Sequence, residues 1–110
     1  MKRLILVLLL VFAVATLGFN RPAFAGDAAK GAAVFTANCN ACHLGGKNVV
    51  NATKTLNKAD LEKYDMLSLD AIKYQITKGK KAMPAFLGRL TDEQIDDVAA
   101  YVLAQAEKGW

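Results

Sequence analysis

Cys39 and Cys42 stand three residues apart and His43 follows at once, so Cys39-Asn40-Ala41-Cys42-His43 gathers two thiols and an imidazole into five residues. Thiols at that spacing emerge from nearly the same side of a helical turn. Both can add to the two vinyl groups on one edge of a porphyrin, while the adjacent imidazole turns towards the metal. The chemistry predicted is covalent attachment of a c-type haem through Cys39 and Cys42, with His43 as an axial iron ligand. These are the only cysteines and the only histidine in the chain, so no other assignment competes for them. The bland readings account for fewer of these residues. A thioredoxin-like redox centre belongs in an alternating β/α pattern, which is missing here. A structural zinc site needs four ligands, and the chain offers three soft ones, all adjacent. A plain disulfide gives the histidine no role.

A second axial position remains. With one histidine in the chain, bis-histidine ligation is excluded. Beyond the leader the methionines are Met66 and Met83. Met83 lies in Gly79-Lys80-Lys81-Ala82-Met83-Pro84-Ala85-Phe86, and Pro84 biases it towards an extended backbone suited to a loop that points a side chain inward. Met66 sits beside Leu67 in a short apolar stretch and reads as a core or haem-wall filler. Met83 is the expected ligand, because His/Met ligation is that of an electron-transfer centre.

The elements that must position these residues are helices. Asp27 can cap a first helix through Ala28 to Phe35, ending near the haem motif. Leu44 to Val50 is a glycine-led loop. Asn57 with Asp60 three residues on resembles a capping box for a short helix around Ala59 to Tyr64. Ser68 caps a helix with Leu69, Ile72 and Ile76 on one face and Gly79 as its stop. Thr91 and Gln94 form another capping box, and the helix they open carries Ile95, Val98, Ala99, Val102, Leu103 and Ala106 on one stripe. No run alternates polar and apolar residues as a strand would. The class is all-α.

Lys2 and Arg3 precede an apolar run from Leu4 to Val14, and Ala23-Phe24-Ala25 has the small-x-small form of a cleavage site. Residues 1–25 therefore read as a secretory leader, and residues 26–110 as a single domain. The alternative, a membrane anchor, would need about 20 apolar residues. The chain as a whole has a formal net charge of +4, but Lys2, Arg3 and Arg21 belong to the leader. Residues 26–110 keep eleven basic and ten acidic side chains, so nucleic acid is not an implied partner. A domain this small has a small core, which a buried haem would enlarge.

Residues well beyond the haem motif carry a family resemblance. Gly31 and Phe35, Gly45-Gly46-Lys47-Asn48-Val49-Val50, Asn57-Lys58-Ala59-Asp60-Leu61-Glu62-Lys63-Tyr64, Ala82-Met83-Pro84-Ala85-Phe86, Gly88-Arg89-Leu90 and Asp97-Val98-Ala99-Ala100-Tyr101-Val102 together resemble the cytochrome c6 family. These are soluble photosynthetic cytochromes of cyanobacteria and algae. The resemblance implies a small class I cytochrome c fold, with four to five helices around one covalent haem. It implies that Gly31 lets the first and last helices cross closely and that Phe35 packs near Tyr101. It also implies that Gln75 lies beside the haem and tunes its potential, although a solvated helix residue is the plain reading of a glutamine there.

The function implied is one-electron carriage from the cytochrome b6f complex to photosystem I in the thylakoid lumen. The resemblance also implies a cytochrome oxidase as an additional acceptor. Iron held by both His43 and Met83 has no open position, so the protein is not expected to be an enzyme. Docking would be brief and small. It would be framed by Val49, Val50 and Ala85, with Arg89 as a steering charge by resemblance. Lys78, Lys80 and Lys81 read equally as solvated surface or as part of that patch. Two other classes stay open: a respiratory carrier in the periplasm, and a peroxidase or gas sensor if Met83 does not bind iron.

Overall fold

A computed structural model describes residues 26–110. The expected leader, residues 1–25, lies outside the described residues. Among the described residues five α-helices follow one another: α1 (Ala28–Asn38), α2 (Asn40–His43), α3 (Lys58–Lys63), α4 (Leu69–Lys78) and α5 (Asp92–Lys108), with a 3-10 turn at Leu44–Gly46. The described residues contain no strand, only isolated bridges at Lys80–Met83 and Leu87–Leu90. The all-α expectation holds.

Local chemistry sets most helix ends. The Asp27 carboxylate accepts hydrogen bonds from the Ala29 and Lys30 amides and opens α1. Ser68 accepts from the Ala71 amide at 3.1 Å and opens α4. At α5 the capping box is complete. Thr91 Oγ1 accepts from the Gln94 amide at 3.1 Å, and Gln94 Oε1 accepts from the Thr91 amide at 2.9 Å.

The box expected at Asn57 and Asp60 is a correction. Asn57 does begin α3, but its side chain makes no cap bond. Asp60 reaches past it and accepts from both the hydroxyl and the amide of Thr55, while Thr55 Oγ1 accepts from the Asn57 amide. With the Asn57 N–H already taken, the carboxylate goes to the donors that remain. These bonds, the Thr55 hydroxyl first and its amide second, hold the Asp60 carboxyl below its usual range.

Packing centres on the crossing of α1 and α5. Gly31 makes the approach possible, since a Cβ there would lie 2.0 Å from the Asp97 carbonyl oxygen and 2.8 Å from Tyr101 Cβ. One turn on, Phe35 is buried with its ring centroid 5.2 Å from that of Tyr101. Both packing roles implied by the resemblance are present. From α5, Ile95, Val98, Ala99 and Val102 meet Ile72 and Ile76 of α4 and Phe86 of the loop between them, while Leu103 is half-buried against the same cluster. The core therefore sits behind the segment that carries the two cysteines and the histidine.

Candidate haem site

His43 ends α2, and the chain turns sharply after it, with Gly45 at φ 65°. The turn brings the Lys47 carbonyl to 2.9 Å from His43 Nδ1. A carbonyl can only accept, so Nδ1 carries the proton and Nε2 keeps a lone pair for a metal. The loop beyond is held by Asn48. Its Nδ2 donates to the Lys54 carbonyl at 2.9 Å, and its Oδ1 accepts from the amides of Val50 and Asn51. The Val49 amide returns to the Cys42 carbonyl at 3.0 Å, so the loop is tied back to the motif. Sequence reading placed Asn48 in the family pattern without this role; an Asn followed by a turn is the signal that would have found it.

Cys39 joins α1 to α2 and is half-buried, whereas Cys42 is exposed, and no disulfide joins the two. Burial pushes the Cys39 thiol up to about 11. Redox-active Cys-x-x-Cys thiols are poised the other way, as stabilised thiolates. Cys39 therefore lacks the stabilised thiolate of a redox-active pair.

Met83 is presented by a turn closed at both ends. The Lys80 amide donates to the Met83 carbonyl and the Met83 amide to the Lys80 carbonyl, each at 3.0 Å. Gly79 makes the entry to this turn, at φ 67°, where a Cβ would lie 2.7 Å from both the Ala85 nitrogen and the Met83 carbonyl oxygen. The exit is fixed by the Phe86 amide, which donates to the Ile76 carbonyl at 2.9 Å at the end of α4. From α4, Gln75 Nε2 donates to Met83 Sδ at 3.6 Å. A solvated glutamine would not make that contact.

One cavity of about 600 Å³ collects these groups. Cys39, Cys42, His43, Gln75 and Met83 all line it, against an apolar floor of Phe35, Ile72, Ile76, Phe86, Val98 and Val102. Met66 is half-buried in its wall, which suits a filler. Among the docking residues expected from sequence, Val50 lines the cavity, while Val49 and Ala85 are exposed beside it. Lys80 and Lys81 line it and Lys78 does not; Arg89 is exposed outside it. Two thiols, an imidazole nitrogen with a lone pair, a thioether and an apolar floor fit a covalently held haem with two axial ligands. No group of three or more His, Cys, Asp or Glu side chains suited to hold a metal ion by themselves occurs among the described residues.

Trp110 is the residue sequence reading missed. Its indole Nε1 donates to the Leu56 carbonyl at 2.8 Å, and its ring stacks near Phe35 at 5.4 Å between centroids. Gly46 lies directly under the ring, where a Cβ would come within 2.5 Å of it. Trp110 thus clamps both ends of the loop from Gly46 to Leu56, next to the carbonyl that orients His43. Trp110→Phe should keep most of the stacking and lose the hydrogen bond, at a cost of about 1 kcal/mol. Denaturant unfolding of the haem-loaded protein reads this; an unchanged midpoint would mean that the bond is replaced by water.

Residues 26–102 match the family model for cytochrome c oxidase, cbb3-type, subunit III. The curated relatives decide more, because they match along the whole chain. A cytochrome c6 from Gloeothece citriformis is 64% identical over 110 residues, with all of both chains covered. One from Porphyra purpurea is 54% identical over 110 residues, again with all of both chains covered. The chain belongs to the cytochrome c6 family. The crystal structure of cytochrome c6 from the diatom Phaeodactylum tricornutum agrees, with a TM-score of 0.75 and 54% identity over 77% of this chain and 100% of that one. Its cytochrome c6 membership gives the chain one covalently bound c-type haem. No helix among the described residues is long and apolar enough to cross a membrane.

Proposed function

We propose that the protein is a one-electron carrier whose haem is attached through Cys39 and Cys42, with His43 and Met83 as axial ligands. The observation that carries this reading is the single cavity into which the Cys39–His43 segment and the Met83 turn both project. The bound group supplies a reversible ferrous–ferric couple. The chain's own residues set how that couple behaves. The Lys47 carbonyl fixes the His43 ring, a thioether raises the potential, and the apolar floor keeps water from stabilising the higher charge. Gln75 lies on the Met83 sulfur, so its amide dipole acts on the ligand itself.

Two ligands held by separate, well-braced segments leave no position for substrate, which favours electron transfer over peroxidase or sensor chemistry. Family membership supports a circuit in photosynthetic electron transport, from the cytochrome b6f complex to photosystem I in the thylakoid lumen. Removal of residues 1–25 on export would release the domain there. Val49 and Val50 are 70% and 65% exposed next to the site and suit a brief apolar contact. The test is flash-induced electron donation by the haem-loaded protein to isolated photosystem I. Fast, salt-sensitive re-reduction of the reaction centre is expected.

Arg89→Glu should slow that donation by about tenfold or more at low salt, because the charge reversal acts on steering. The visible spectrum should not change, since Arg89 lies outside the cavity. An unaltered rate at low salt would remove Arg89 from the docking surface. The match to an oxidase-subunit family model gives a second reading, donation to a terminal oxidase. Negligible donation to photosystem I with rapid oxidation by an oxidase would favour it.

A further inference from the structure

Asp97 is the only charged side chain buried among the described residues, at 6% exposure. It sits at the crossing of α5 with α1 and does not line the haem cavity. Its one hydrogen bond among the described residues comes from the Asp27 amide, 2.7 Å from Oδ1. The two ion pairs among those residues, Lys58–Glu107 and Lys73–Asp96, do not include it. The neighbouring carboxylate of Asp27 is turned to the amides that open α1. A buried carboxylate with a single amide donor is an unbalanced charge.

The residue next to that donor is Gly26. It is half-buried, and its Cα lies so close to the Asp96–Asp97 peptide that a Cβ would be 2.1 Å from Asp96 C and Asp97 N. Consecutive backbone nitrogens are at most about 3.7 Å apart, so the Gly26 nitrogen lies within about 6.5 Å of the Asp97 carboxylate. As an amide it is a neutral donor. As a chain terminus it would be a cation.

We propose that cleavage of the Ala25–Gly26 bond creates the counter-charge for Asp97. Water adds across that amide under a signal-peptidase-type protease, leaving a carboxylate on Ala25 and an α-ammonium on Gly26. The ammonium pairs with the Asp97 carboxylate and pins the start of the mature chain onto α5. Processing therefore completes the α1–α5 crossing as well as releasing the domain. Glycine at position 26 is required because the terminus must sit against the α5 backbone.

The proposal rests on the reading of residues 1–25 as a cleaved leader, and the experiment separates the two. Intact mass and N-terminal sequencing of the exported, haem-loaded protein come first. A start anywhere other than Gly26 overturns both. With Gly26 first, limited acylation at neutral pH, read by peptide mapping, compares its α-amine with that of the free peptide Gly-Asp-Ala-Ala. Modification should be slowed about tenfold in the folded protein, since an opposite charge favours the unreactive ammonium. Asp97→Asn should restore the peptide's rate. A second variant keeps one alanine before Gly26 and carries the ammonium about 3.8 Å along the chain, which should also restore reactivity. Reactivity equal to the free peptide in the parent protein overturns the ion pair, as does full protection in either variant.

Discussion

Met83→Leu should leave the haem attached and the helices intact, yet abolish the weak far-red band of methionine-bound ferric haem. Leucine is close to methionine in volume, so the turn from Lys80 to Met83 and its bonds to the end of α4 can persist. What is lost is the sulfur and the contact that Gln75 Nε2 makes with it at 3.6 Å. The midpoint potential should fall by on the order of a hundred millivolts, within the roughly 0.8 V that axial ligands span. An open iron position would then bind small ligands such as cyanide or carbon monoxide, which the parent protein should resist. Retention of the far-red band in Met83→Leu would move the ligand to Met66, the other methionine of the domain. Met66 already lines the same cavity, so the comparison is decisive between the two.

Without haem the domain should have no cooperative unfolding transition. Phe35, Ile72, Ile76, Phe86, Val98 and Val102 are the centre of the core, and all six line the haem cavity. At about 24 cal/mol per Å³, a cavity of about 600 Å³ corresponds to roughly 14 kcal/mol. The cavity opens to solvent, so that is an upper bound. A domain of this length has a total stability of only about 4–13 kcal/mol. Even a third of the cavity term consumes much of it. The Cys39→Ser, Cys42→Ser protein expressed without haem is the sample to use. Far-ultraviolet circular dichroism through a thermal ramp reads the outcome. A sharp sigmoidal transition would show that the helices hold together on their own, through the α1–α5 crossing.

The helix ends illustrate what can be read along the chain and what cannot. At Thr91 and Gln94 the capping box formed because both partners lie within four residues and nothing else competes for their donors. At Asn57 and Asp60 the same pattern gave a different bond, because Thr55 had already taken the Asn57 amide. Each residue is close in sequence, but the choice between donors depends on how the loop arrives. Gln75 shows a longer version of the same limit. Its type and position on α4 are visible in sequence, whereas its contact with Met83 needs the bend at Gly79 to fold the turn back.

By itself the amino-acid sequence determined the attachment motif, the lone histidine, the restriction of the second ligand to Met66 or Met83, the helical class and the caps at Asp27, Ser68 and Thr91. All of these depend on residue types and on spacings within about one turn of helix, where covalent geometry limits the outcomes. Only the tertiary structure decided that the motif and the Met83 turn share one cavity, that Trp110 clamps Gly46 and Leu56, and that Asp97 is buried against the start of the domain. Those contacts join residues 54 and 70 positions apart in the cases of Trp110 and Asp97. The close crossing of α1 and α5 at Gly31 brings Asp97 to Asp27, and the fold of the Gly46–Leu56 loop brings Leu56 to Trp110; no local pattern carries either distance.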